Sequence, residues 1–307
     1  MRKFIFKVLL FFAIIAIVDR AFGLVMKTVL QGTDKGDWGR NNYIFNDVNS
    51  DVIIFGSSRA IHHYNPQIFS DSLGLSCYNC GEDGMGIFLM WARYQAIRER
   101  YIPKLVIYEL LPEYDLLINS DNLRYLKFLR PYSDKPFVNS VINDISSKEY
   151  FKLLSEMYKF NSVFMDIISQ RVSKSPSIAK TYTYSPLGAM MNYFPPADVG
   201  QQLIRRQVDP LKKAYLEDLL FQCKKDGTQL VFTASPIYRP ISDNDFKPLK
   251  DLCRMYDVPF FNHYCDNDYC DTSVYFADAS HLNNKGAELF TTIIVSEIKN
   301  RYSDVKE

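Results

Sequence analysis

Five short apolar runs separated by helical patterns constrain this chain more than any other feature. Val52–Phe55 holds four apolar residues in succession, where a half-exposed strand would alternate. Continuous runs of this kind belong to strands buried on both faces, as in a parallel sheet. Further candidate strands are Ser76–Cys80, Leu105–Glu109, Gln229–Ala234 and Pro259–Phe261. Helices are expected between them. One follows Pro66, and one runs over Ile87–Arg100, opened by Gly84 and Gly86 and stopped by Pro103. Another has Asp209 as N-cap, Pro210 at its first position and Gly227 after its last turn. A helix through Asp251–Met255 and one from about Asn284 to Arg301 complete the set. Strands alternating with helices predict an α/β fold of three layers, a parallel sheet covered on both faces.

Pro112 to about Gln207 interrupts that alternation. Ser146 and Glu149 form a capping box ahead of a helix expected over Tyr150–Gln170. A Tyr/Pro-rich loop follows at Thr181–Pro196. The region reads as a mainly helical insertion, of the sort that shapes the mouth of a site.

The first 30 residues form a separate segment. Arg2, Lys3 and Lys7 precede an uncharged run, Val8–Val18, and Ala21–Met26 is apolar again. Phe4–Met26 is long enough for a membrane helix if Lys7, Asp19 and Arg20 lie near its ends or snorkel. With basic residues leading, an uncleaved signal anchor places the remainder outside the cytoplasm, on the periplasmic side. Gln31–Ser50 is polar and reads as a linker to a domain spanning 51–307. The net charge of +1 gives no reason to expect nucleic acid as a partner. An even cysteine count outside the cytoplasm permits disulfides, and Cys265 and Cys270 would close a small loop. Zinc is not expected, because only His62 and His63, of four histidines, lie close together.

The chemistry-bearing residues fall at two places. Gly56-Ser57-Ser58-Arg59 follows the first strand, where open α/β sheets bind ligands. Asp278-Ala279-Ser280-His281 precedes the last helix. Serine is a weak nucleophile unless a base lies within hydrogen-bond reach, and the base needs a carboxylate to fix its tautomer. The order of these blocks resembles the SGNH (GDSL-type) hydrolase superfamily over about Asp51–Arg301. The resemblance implies a flavodoxin-like sandwich with Ser58 as nucleophile, His281 as base and Asp278 behind it. It places Ser57 where that family has Asp. It also matches Asn79 and Gly84 of "YNCGEDGMG" to the second block, so that the N–H groups of Ser58 and Gly84 form an oxyanion hole. Such chemistry needs no metal and no cofactor.

One block departs from the family's pattern. Its Gly-x-Asn-Asp after the third strand is replaced by "YELLPEYD", Tyr108–Asp115, which has no Asn. One oxyanion donor is worth roughly a factor of 100–1,000 in turnover. Arg59, next to the nucleophile, is a candidate source of charge in its place. Similar variants occur among membrane-anchored bacterial proteins of alginate O-acetylation and teichoic acid D-alanine transfer. The resemblance therefore implies an extracytoplasmic esterase or O-acyltransferase for small acyl esters, acetyl foremost, of a cell-surface polysaccharide. The alternative is a weak or inactive domain that binds polysaccharide or scaffolds a membrane-bound O-acyltransferase. A flavodoxin-like nucleotide binder is disfavoured, since the first loop has no Gly-x-Gly-x-x-Gly.

Overall fold

The computed structural model describes residues 1–118, 121–177, 184–191, 207–240 and 242–302. The chain divides into two compact units, Met1–Asp47 with Asp121–Thr181, and Val48–Ser120 with Tyr182–Glu307.

The second unit is built on β1 (Val52–Gly56), β2 (Cys77–Asn79), β3 (Leu105–Glu109), β4 (Gln229–Ala234) and β5 (Phe260–Asn262). Their order is β2-β1-β3-β4-β5, and every neighbouring pair is parallel. This is the flavodoxin-like order. Residues alternate between the two faces of each strand. Val52, Ile54, Leu105, Ile107 and Val231 join one core with Phe69, Phe290 and Ile294 from helices Pro66–Leu73 and Asn284–Arg301. Aromatic residues crowd the opposite face. Phe55 lies against Tyr94 of helix Ile87–Arg98, and Tyr108 against Phe232. Phe88 and Trp91 pack on Tyr215 of helix Pro210–Asp226.

Local signals set these boundaries. Asp209 accepts from the N–H of Leu211 and Lys212, and Gly227 ends the helix in the left-handed conformation, φ 76°. Asn283 caps the last helix by accepting from Gly286. The register places Gly56 opposite Glu109 and Glu109 opposite Thr233, so the C-terminal ends of β1, β3 and β4 form one edge. The cysteines are free thiols. The expected Cys265–Cys270 bridge is absent, with Cys265 exposed and Cys270 buried, its Sγ 3.4 Å from the Tyr264 carbonyl.

The first unit is helical and differs from the sequence expectation in two ways. Gln31–Ser50 is not simply a linker. It contains helix Gly36–Asn46, whose Trp38 packs on Phe128 and whose Phe45 stacks on Tyr132 at 4.3 Å. Trp38, Ile44 and Phe45 are its buried apolar side chains, inside an otherwise polar stretch. The insertion helix is broken into Ser147–Lys152, Glu156–Phe160 and Phe164–Val172. Ser146 caps the first by accepting from Glu149, and Ser155 caps the second by accepting from Tyr158. Ser162 then adopts φ 67°, which a continuous helix excludes. These breaks meet the N-terminal helix Arg2–Gln31. Asp19 accepts from Ser155 Oγ at 2.6 Å and from the N–H of Glu156 and Met157. Arg20 and Lys27 pair with Glu156. The N-terminal helix is the one helix among the described residues long and apolar enough to cross a membrane. Of the expected loop Thr181–Pro196, residues 184–191 are described and belong to the second unit; the remainder lies outside the described residues.

Candidate active site

The strand-to-helix turn after β1 sets the position of Ser58. Gly56 has φ 139°, and a Cβ there would meet the Glu109 carbonyl oxygen at 2.4 Å. Only glycine lets β1 lie this close to β3 and still turn. Ser57 then sits at the N-cap, and Ser58 opens helix Ser58–His63. As the first helical residue, Ser58 has an N–H with no partner in a preceding turn.

His281 is brought to Ser58 by a pinned loop. Phe276 and Leu282 form an antiparallel bridge, and both are buried. The Ala277 N–H donates to the His281 carbonyl at 2.9 Å. Asn283 Nδ2 donates to the Val274 carbonyl at 2.8 Å. His281 Nε2 lies 2.9 Å from Ser58 Oγ, and Nδ1 lies 3.0 Å from both carboxylate oxygens of Asp278. Asp278 therefore fixes the proton on Nδ1, leaving the Nε2 lone pair to accept from the serine hydroxyl. Burial pulls the Asp278 carboxyl upward. Hydrogen bonds from the Ser280 N–H and the His281 ring outweigh it and keep the group below the usual carboxylate range. Its side chain is 58% exposed, so its influence on the imidazole is screened by water.

The other residues singled out in the sequence lie around this axis. Gly84 has φ 67° in the loop after β2, and its N–H has no protein partner among the described residues. Asn79 is tied to backbone groups. Its Nδ2 donates to the carbonyls of Ala60 and Tyr64, and its Oδ1 accepts from Gly81, so it fastens the Gly84 loop to the nucleophile's helix. Ser57 Oγ is buried with no partner among the described residues. Arg59 is not a charge for the reaction centre. It is buried, with Nε and Nη2 at 3.0 and 2.8 Å from Ser235 Oγ and Nε 3.2 Å from Glu109. The Glu109 carboxylate balances the guanidinium inside the fold.

Three residues that the motifs did not indicate complete this arrangement. Glu109, at the end of β3, accepts from Tyr64 Oη and from the N–H and Oγ of Ser235. Ser235 Oγ is 2.7 Å from His63 Nδ1. His63 Nε2 accepts from the N–H of Leu282 at 3.0 Å, the residue after His281. Nε2 can accept only when unprotonated. Burial, then the nearby Arg59 charge, pushes the His63 pKa well below its ordinary value and keeps the ring neutral. A continuous buried chain thus runs from the residue after Ser58 to the residue after His281. It occupies the strand end where an oxyanion-directed Asn was missed in the sequence. A signal was present: Glu109 and Ser235 are polar residues ending or following otherwise apolar strands at one sheet edge.

His62 clasps the rim. Its Nδ1 is 2.5 Å from the Ser185 carbonyl and its Nε2 3.2 Å from Asp83, the residue before Gly84. Burial alone would lower its pKa; the Asp83 carboxylate and the Ser185 carbonyl more than reverse this. Among the described residues no cluster of three or more His, Cys, Asp or Glu could hold a metal.

No protein-family model matches the chain, and no curated protein matches it. Among solved structures it is similar to a candidate acylhydrolase of Bacteroides fragilis, with 13% identity and a TM-score of 0.38, covering 83% of this chain and 90% of that one. A GDSL-like lipase of Bacteroides thetaiotaomicron gives 12% identity and a TM-score of 0.37, over 81% and 88% of the two chains. A candidate lipolytic protein of the G-D-S-L family from Desulfitobacterium hafniense gives 9% identity and a TM-score of 0.41, over 81% and 99%.

Proposed function

We propose that this chain is a serine-dependent acyl-ester hydrolase or O-acyltransferase. The observation that carries the reading is the Ser58–His281–Asp278 alignment at the C-terminal edge of β1. Ser58 Oγ attacks the ester carbonyl carbon while His281 Nε2 takes the hydroxyl proton. The N–H groups of Ser58 and Gly84 receive the developing oxyanion. The tetrahedral intermediate collapses, His281 returns the proton to the departing alcohol, and an acyl-Ser58 ester remains. A water or a sugar hydroxyl then gives its proton to His281 and attacks that ester. Water yields the free acid and a sugar yields a new ester, and either restores Ser58. Asp278 stabilises the imidazolium in both halves.

The resemblance and the N-terminal segment together support a substrate class. A span led by Arg2, Lys3 and Lys7 would hold the sheet unit at the outer face of a membrane. That location suits small acyl groups, acetyl foremost, on a surface polysaccharide, with a membrane-bound O-acyltransferase as a candidate partner.

The test is labelling of the full chain in detergent with a fluorophosphonate probe, read by mass at Ser58. We expect one adduct in the unmodified protein and none in Ser58→Ala or His281→Ala. A folded protein that takes no label would remove the nucleophile reading and leave a polysaccharide-binding or scaffolding domain.

A further inference from the structure

The helices at 147–172 carry apolar side chains on their outer surface as well as their inner one. Phe151, Leu154, Met157 and Met165 are each at least half exposed, and Phe164 is partly so. Their position along the N-terminal helix is fixed by direct contacts. Arg20 donates to the Leu154 carbonyl at 2.8 Å, and Asp19 accepts from the Met157 N–H at 2.9 Å. The Phe22 ring lies 6.4 Å from Phe160 and 6.3 Å from Phe164.

Asp19 and Arg20 interrupt the apolar run. Phe4–Val18, exposed at every position, amounts to roughly 22 Å of helix at about 1.5 Å per residue. A bilayer core of about 30 Å needs about 20 residues. Beyond the interruption Ala21, Leu24 and Val25 are exposed and apolar, and the next exposed side chain, Thr28, is polar. Extending the span to Val25 gives roughly 33 Å and matches the bilayer. The Asp19 carboxylate would then lie about 9 Å below the span's end. There it is hidden from lipid by the three donors it accepts from, while Arg20 pairs with Glu156 and, 59% exposed, has the length to snorkel toward the headgroups.

We infer that helices 147–172 form a collar that enters the acyl chains of the leaflet around the C-terminal end of the N-terminal span. The occupant of the outer apolar surface is lipid. This rests on the membrane-anchor reading above. Leu154 and Met157 share the level of Asp19 and Arg20, and Phe164 that of Phe22. Lys148, Lys152 and Tyr150 are exposed on the same segment, the residue types that settle at headgroups. An interfacial helix buries its apolar face about 5–10 Å deep, the depth these contacts give. The collar covers the acidic member of the Asp19–Arg20 interruption.

The test uses full-chain protein in lipid nanodiscs, with Leu154→Trp, Met165→Trp and, in the span, Leu10→Trp. Emission added to that of native Trp38 and Trp91 is read in phosphatidylcholine brominated high on its acyl chains, and separately against aqueous iodide. We expect the added emission at positions 154 and 165 to be largely lost in brominated discs and unaffected by iodide. Quenching of Leu10→Trp alone, with positions 154 and 165 answering to iodide, overturns the collar and keeps the span. Shielding of 154 and 165 from both quenchers assigns the face to a second copy or a partner protein, and also overturns it. An unquenched Leu10→Trp removes the span reading itself.

Discussion

Two residues outside the reaction centre make the sharpest claims at the residue scale. His63 acts through Leu282 and is a positioning residue, not a catalytic one. His63→Phe leaves the Leu282 N–H without its partner and frees the backbone beside His281. We expect kcat on a short-chain ester to fall by up to about a hundredfold with KM unchanged. His63→Gln, which keeps an acceptor, should restore part of that loss. A uniform change in both constants would mean the ring merely packs. Asp115 makes a different claim. Burial raises its carboxyl to about 7, against the bonds it accepts from the Leu111 N–H and Tyr108. Its unfolded value is about 3.9. Stability from this group is therefore complete below about pH 4. It is lost as pH rises to about 7, because only the unfolded chain ionises in that interval. The loss is on the order of 4 kcal/mol. Urea unfolding from pH 4 to 8 should show that decline in the unmodified chain and a smaller one in Asp115→Asn. That Ser58, Asp278 and His281 come together was legible because each sits in a short motif on a recognisable element. Glu109, Ser235 and His63 were not, because their relation exists only across three segments. Glu109, which the sequence shows only as the last residue of an apolar run, is the hub of the buried network.

Elements were legible where their signals are local. β3 and β4 have the bounds their apolar runs indicate, and Asp209, Pro210 and Gly227 frame one helix as expected. Asp209→Ala should destabilise by about 1 kcal/mol, the usual cost of losing an N-cap, measured by denaturant unfolding. Gly56→Ala should cost considerably more, since it adds a clash with the Glu109 carbonyl to an unfavourable φ. Legibility failed where tertiary packing overrules pattern. Gly36–Asn46 is polar in composition yet helical, because Trp38 and Phe45 find aromatic neighbours from far along the chain and Ile44, next to Phe45, is also buried. The insertion's periodicity ran through Ser155 and Ser162, where Asp19 and a left-handed residue require breaks.

At the scale of the whole molecule, two compact units are made from interleaved stretches of chain, an arrangement that periodicity cannot reveal because it reports only on near neighbours. The N-terminal helix is part of the first unit's core. Met26 and Leu30 are buried, and Phe22 packs on Phe160. A chain beginning at Asp34 should therefore lose the first unit's order, with proteolytic cuts between residues 121 and 177. Labelling at Ser58 should survive, since Ser58, His281, Asp278 and Gly84 all belong to the other unit. Limited proteolysis and the fluorophosphonate probe on the same sample read both outcomes.

The six residues of helix Ser58–His63 hold the proposed nucleophile, a buried cation, the rim clasp and the support for the His281 loop. Such crowding leaves little room for drift. Among descendants of a common ancestor, positions 59, 63, 109 and 235 should change together or not at all, and a substitution at one should be tolerated only where the other three have moved. Covariation at those four sites, rather than the catalytic motif alone, would then mark out this branch in a genome.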